Sequence, residues 1–265
     1  MRIGVTLVLA AVTVLCACAC SSSKTEPGPP PKVTNFALDS KLMGRPMFES
    51  LVTPAGGGKG RPLLVFLHGY GASPSDTFSA AFRSALRRLG DHAPVVFLPE
   101  GDVGWWHDDL NGHWGSYVLR EAIPAALARS GADPHRVAIG GISMGGFGAL
   151  DLGRLAPKRF CAVGGHSPAI LFRNSPFLLG AFDSVADFRR HDLLRVARGH
   201  SPYDAPVWID VGAQDHLRPA ATALARELQA DHADVSFHIW PGVHNGRYWD
   251  AHFADYLRFY THACG

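Results

Sequence analysis

The chain has 265 residues, of which 47% are hydrophobic and 18% charged, so it can bury one large core within a single domain. Its formal charge of +2, from 25 basic and 23 acidic residues, is too small for a nucleic-acid-binding surface, and no basic run is interleaved with aromatics.

Met1 and Arg2 form a short positive start, Ile3 to Leu15 an apolar run, and LCACAC then gives way to the small, polar, proline-rich SSSKTEPGPPPK. This reads as an export signal, too short to span a membrane as a mature helix. Leu15-Cys16-Ala17-Cys18 fits a bacterial lipobox, with Leu three residues before the cysteine that receives the lipid. Cys18 is therefore the expected lipidation site and Cys20 the alternative, because Cys16 is atypical in the minus-two place. An ordinary cleaved signal peptide with incidental cysteines is the plainer reading. The expected division is a signal peptide over 1–18, a flexible tether over 19–34 and a folded domain over 35–265, exported and either lipid-anchored to the membrane or extracellular.

Past the tether, Phe48 to Val52 and the apolar Pro62 to Leu67 read as strands, separated by the turn-forming GGGKG of residues 56–60. The second runs into His68-Gly69-Tyr70-Gly71. Asp76 to Leu89 repeats Phe78, Phe82, Leu86 and Leu89 at helical spacing, and Pro94 to Leu98 is the next strand. A long loop follows, PEGDVGWWHDDLNGHWGSY, on the side where open parallel sheets bind ligands. Trp105, Trp106 and Trp114 are expected to line a substrate cleft there, or else to pack beneath the loop. Asp102, Asp108 and Asn111 are candidates to bond sugar hydroxyls. His107, His113, Asp108 and Asp109 lack any metal-ligand spacing, so no metal is expected.

Tyr117 to Arg129 reads as a helix and Ala132 to Ile139 as a strand that leads to VAIGGISMGGFG, residues 137–148. Within it Gly141-Ile142-Ser143-Met144-Gly145 is a G-x-S-x-G, which needs a serine on a sharp strand-to-helix turn with its Oγ exposed. Met144 to Ala156 can form the helix, ended by Pro157. Ser143 is therefore a candidate nucleophile. A glycine-rich turn of no chemistry is the competing reading of so short a motif.

The run GHWGSYVLREAIPAALARSGADPHRVAIGGISMGGFGAL, with its G-x-S-M-G-G-x-G-A-L elbow, resembles the esterase D and antigen 85 group of α/β hydrolases from about Pro46 to Tyr260. The resemblance implies an α/β-hydrolase fold, with a mostly parallel central sheet, helices on both faces and a short cap insertion. It implies a serine esterase or, alternatively, an acyltransferase of the mycolyltransferase type. In this fold the loop after the third strand and the residue after the nucleophile supply the oxyanion-hole amides, here Tyr70 and Met144. His68 is a rival for the base, but its place before Gly69 suits a loop prop.

Phe160 to Gly165 is the next strand. Residues 167–206 then interrupt the rhythm with Phe172, Phe177, Leu178, Leu179, Phe182 and Phe188, which line an acyl pocket or simply pack. Pro206 to Val211 resumes as a strand and ends in Gly212-Ala213-Gln214-Asp215. Asp215 sits at the strand end as triad acid, while its rival Asp210 falls inside the strand. Leu217 to Ala230 is a helix and Val235 to Trp240 the last strand. His244 follows it as the base, ahead of an aromatic C-terminal helix.

Ser143, His244 and Asp215 in that arrangement would cleave an ester, of an acylated sugar or envelope lipid, through an acyl-enzyme that needs no cofactor. A catalytically silent lipoprotein on the same scaffold and a sugar-binding module built on the tryptophan loop are the readings from other classes. No protein partner is inferred. Cys161 and Cys264 are the remaining thiols, and export permits a disulfide between them.

Overall fold

The computed structural model describes residues 29–265; the expected signal peptide over 1–18 and the candidate lipidation sites Cys18 and Cys20 lie outside the described residues. The first two strands, β1 (Lys32–Ser40) and β2 (Arg45–Thr53), form an antiparallel pair. β1 thus begins inside the segment expected to be tether, residues 19–34. Its alternation is weak because most of this edge strand is exposed, so it lacks the apolar signal of a central strand.

β3 (Leu63–Leu67) follows. The single helix expected over 76–89 is two, α1 (Pro74–Thr77) and α2 (Ala80–Arg88). Ser79 makes the break. It is extended, its Oγ accepts the Phe82 N–H at 3.1 Å, and the same hydroxyl donates to Asp250 at 2.6 Å, so the second helix gains a cap that a continuous helix would forgo.

β4 (Val95–Leu98) opens the tryptophan loop, which holds a small hairpin of β5 (Asp108–Asp109) and β6 (Gly112–His113). The next helix begins earlier than expected, as α3 (Trp114–Tyr117), passes through a π-turn at 118–122 and continues as α4 (Ile123–Ser130). The wide turn adjoins Pro124, which has no N–H for the helical ladder; just before it the Ile123 amide reaches back to Val118 O.

Then come β7 (Val137–Ile142), α5 (Met144–Leu155) and β8 (Ala162–His166). The insertion carries α6 (Leu178–Ala181), α7 (Val185–His191) and α8 (Leu193–Val196). β9 (Val207–Gly212), α9 (Arg218–Ala230), β10 (Val235–Trp240) and α10 (Gly246–Ala263) complete the chain.

The sheet order is β1-β2-β4-β3-β7-β8-β9-β10. From β4 to β10 every neighbour is parallel, and only β2 runs against them. Alternation along β3 divides the core: Leu63, Val65 and Leu67 face the layer with α5 and α9, while Leu64 and Phe66 face α2 and α10. Cys161 and Cys264 are joined, with Cα atoms 5.3 Å apart, which ties the end of α10 to the start of β8 across 103 residues. In the chain-entropy account a loop of that size contributes about 4.7 kcal/mol.

Beneath the sheet edge, Glu49 of β2 is buried against Tyr117 Oη and accepts the Glu100 N–H at 3.0 Å. Burial pushes its carboxyl from 4.5 up to about 8, the Glu100 N–H bond opposing and the Glu100 charge adding to the rise. The fold therefore holds a proton that the unfolded chain releases near pH 4.5. That contribution is fully present below the unfolded value and lost as pH rises through about 8. Glu49→Gln keeps an acceptor for Glu100 and offers a donor to Tyr117 without the titration. We expect its unfolding free energy in urea to gain on the wild type by up to about 1.4 kcal/mol per pH unit between pH 5 and 8. Parallel pH profiles of the two proteins would refute the assignment.

Candidate active site

Strand β7 ends against the turn at Ser143 that leads into α5. Ser143 has φ +55°, a left-handed conformation rare for a residue with a Cβ, and such strain persists only where the surroundings enforce it. Here they do. The Ser143 N–H donates to His166 O at 3.0 Å, and its carbonyl accepts from Phe147 at 3.0 Å and Ala169 at 2.9 Å. Helix α5 also leaves at very close range: a Cβ on Gly145 would lie 2.1 Å from Leu67 O. The glycines of the motif are thus steric requirements of the turn.

His244 Nε2 lies 2.9 Å from Ser143 Oγ, and His244 Nδ1 lies 2.9 Å from Asp215 Oδ2. The other Asp215 oxygen accepts the Leu217 N–H at 2.8 Å. Burial pushes the Asp215 carboxyl up, but hydrogen bonds from His244 and the Leu217 amide, with the His244 charge, outweigh it and hold the group below 3.8. It is therefore ionised at neutral pH and fixes the His244 tautomer with Nδ1 protonated, so that Nε2 presents its lone pair to the serine.

Gly69 follows β3 so closely that its Cβ position is 3.5 Å from Ser143 Cβ. Tyr70 follows, exposed at the cleft mouth. Met144 opens α5, where a first-turn amide has no helical acceptor. His68 is buried, its Nδ1 directed to Gly69 O at 2.8 Å and its carbonyl accepting Trp106 Nε1 at 3.2 Å. Burial lowers its pKa, so it is a neutral loop prop.

The cleft above Ser143 and His244 has a volume of about 710 Å³. Trp105 lines it, 9% exposed, but Trp106 and Trp114 do not. This corrects the expectation for those two. Trp106 is fully buried against Gly148, where an added Cβ would lie 2.4 Å from the Trp106 Cβ and 2.6 Å from its ring, and Trp114 fills the space over Gly104. Indoles with glycine partners gain more from burial than from the cleft. Asp102, Asp108 and Asn111 also lie outside the lining; Asp108 instead accepts from the Ser116 amide and hydroxyl at 2.8 and 2.6 Å. The insertion divides. Phe172 and Phe177 line the cleft, while Leu178, Phe182 and Phe188 are buried in the core.

The family model Esterase, described as Putative esterase, matches residues 40–260. The chain belongs to this esterase family. An esterase of Mycobacterium tuberculosis (strain CDC 1551 / Oshkosh) is 27% identical over 164 residues, which cover 57% of this chain and 34% of that relative, so the chain spans about a third of its length. A ferulic acid esterase superposes with a TM-score of 0.77 at 19% identity, over 88% of this chain and 99% of that one. An S-formylglutathione hydrolase from Agrobacterium tumefaciens gives 0.77 at 19% identity, over 89% and 96%. The fold is that of the α/β-hydrolase esterases.

The sequence reading of this esterase missed Gln214. Its N–H donates to Gly242 O at 2.9 Å and its Oε1 accepts the Gly242 N–H at 3.1 Å. The loop that carries Asp215 is thereby clipped to the loop that carries His244. The signal was present only as a polar residue beside the acid, which any exposed turn would supply.

Proposed function

We propose that the protein hydrolyses esters with an apolar acyl group through a Ser143-His244-Asp215 triad. The observation that carries this is the His244 ring, held at 2.9 Å from both Ser143 Oγ and Asp215 Oδ2. His244 Nε2 takes the serine proton as Oγ attacks the carbonyl, and Asp215 stabilises the imidazolium. The amides of Tyr70 and Met144 receive the oxyanion. His244 then returns the proton to the leaving alcohol, and water repeats the sequence to free the acid. No step calls for a cofactor.

Ile170, Leu171, Phe172, Phe177, Leu217 and Trp105 give the cleft its apolar wall, which supports selection on the acyl side. The polar residues suggested for a sugar lie elsewhere, so an acylated sugar is a substrate through its acyl group first. With purified protein and nitrophenyl esters, we expect octanoate to exceed acetate in kcat/KM by roughly 10-fold or more. A preference for acetate would sink the acyl reading. Mycolyl-type transfer is the alternative. Given an acylated sugar, the enzyme is expected to release free acid faster than it forms transferred ester, and a product mixture dominated by the latter would reverse the order.

We also propose that the exported chain is lipidated at Cys18 or Cys20. β1 runs parallel to β4, so Lys32 lies at the sheet edge opposite the cleft. A tether reaching it from either cysteine spans at most about 50 Å, which supports a cleft turned away from the anchoring membrane. Mass spectrometry of the native protein should find a diacylglyceryl cysteine at the N-terminus; an unmodified one refutes the anchor.

A further inference from the structure

We propose that His107, Asp187 and His191 form a structural site for a zinc-class dication that clamps the cap insertion to the tryptophan loop. The loop's own spacing gave no metal motif. The fold supplies what the spacing lacked, by bringing His107 to two residues one helical turn apart on α7. One ring nitrogen from each histidine and a carboxylate oxygen of Asp187 lie within 4.8 Å of one another; His107 and Asp187 are buried and the His191 side chain is 11% exposed. A tetrahedral zinc shell has edges of about 3.4 Å, within reach of small side-chain rotations.

The outer partners set the chemistry. His191 Nδ1 lies 2.8 Å from Asp151 Oδ2, and Asp151 is fully buried and paired with Arg154 at 2.6 Å. That carboxylate accepts the His191 Nδ1–H, which leaves Nε2 to face Asp187 Oδ1 at 3.7 Å. His107 Nε2 lies 2.8 Å from the carbonyl of Ala181, to which it donates; its Nδ1 has only another carbonyl, Asp108 O, at 3.3 Å. Each imidazole therefore commits one N–H to an oxygen and turns an unprotonated nitrogen toward further oxygens. A cation between His191 Nε2 and the Asp187 carboxylate would relieve the repulsion of their lone pairs, and a second hydrogen bond on each ligating histidine is the usual outer shell of a metal. Asp187 accepts from the Asp183 amide at 3.0 Å and from Arg190 at 2.8 Å. The Arg190 side chain is 66% exposed, so its contact can yield to an ion. Two imidazoles and a carboxylate select zinc or a neighbouring transition metal over calcium or magnesium.

The site is structural. None of its residues lines the cleft, but one aromatic layer separates them: His107 stacks on Phe182 at 5.0 Å, and Phe182 meets Trp105 at 6.3 Å. An ion there holds α7 against the loop that presents Trp105.

The test uses the full disulfide-bonded protein, stripped with a chelator and dialysed. Zinc titrated in competition with a chromogenic chelator should fill one site per chain at sub-micromolar Kd, and cobalt(II) should give the visible absorption of a low-coordinate centre. Asp187→Asn and His107→Gln should each weaken zinc at least 10-fold. Failure of the wild-type chain to take up zinc overturns the proposal, and this reading needs no variant to fold. Uptake undiminished in both variants overturns it too, because the ion then sits on other histidines. Esterase activity of Ser143 is a separate measurement, so loss of either reading leaves the other standing.

Discussion

Ser143→Ala and His244→Ala should each lower ester hydrolysis by on the order of 10⁶-fold, and the double variant should be scarcely worse than either. In the proposed mechanism the serine gives up its proton only to His244 Nε2, and His244 has no use for its lone pair without Oγ, so removing one empties the other of its role. Both variants should fold. The turn at Ser143 is held by backbone bonds to His166, Phe147 and Ala169, none of which uses the hydroxyl, and alanine leaves the strain at φ +55° unchanged. The check is kcat/KM beside circular dichroism, with a fluorophosphonate probe as second readout. Strong labelling of folded Ser143→Ala would place the nucleophile elsewhere. Activity within 100-fold of wild type in His244→Ala would remove the base.

The parts of this arrangement that were readable in the sequence are those where local sterics and the buried sheet impose a residue type. Residues 137–148 announce themselves because a fully buried parallel strand must be apolar, and the turn that follows admits only glycine at Gly145. Asp215 and His244 were legible by their places just past β9 and β10. What stayed hidden depends on distant partners. Trp106 and Trp114 carry the same loop signal as Trp105, and only the glycines of α5 and the loop decide which indoles sink into the core. β1 was lost because an exposed edge strand has little need of apolar residues. The clip through Gln214 and the meeting of His107 with His191 span chain separations that no periodicity encodes.

Asp215→Asn and Asp210→Asn should separate chemistry from stability. The Asp215 variant keeps an acceptor for Leu217 but lacks the charge that holds His244 in the right tautomer and stabilises its cation; a loss on the order of 10⁴-fold in kcat is expected with little change in stability. Asp210 is built differently. It is fully buried and accepts four bonds: His166 Nδ1 at 2.6 Å and Trp208 Nε1 at 2.9 Å on one oxygen, Tyr248 and Tyr256 hydroxyls at 2.8 and 2.9 Å on the other. Tyr260 Oη completes the set at 2.8 Å from His166 Nε2. Gly140 and Gly164 make room for that hydroxyl, since a Cβ on either would come within 1.9 Å of it. This network fastens α10 to the sheet, and burial with the Asp210 charge raises the pKa of Tyr248 and Tyr256, so the phenols stay protonated as donors. Asparagine offers one oxygen to four donors and turns an NH₂ on two of them. The loss should be about 3–5 kcal/mol in urea unfolding. Asp210 bonds none of Ser143, His244 and Asp215, so kcat of the folded Asp210 variant should fall by less than about 10-fold at low temperature. The decisive comparison is kcat beside the unfolding midpoint for both variants. A stable but inactive Asp210→Asn beside an active Asp215→Asn would move the triad acid into strand β9.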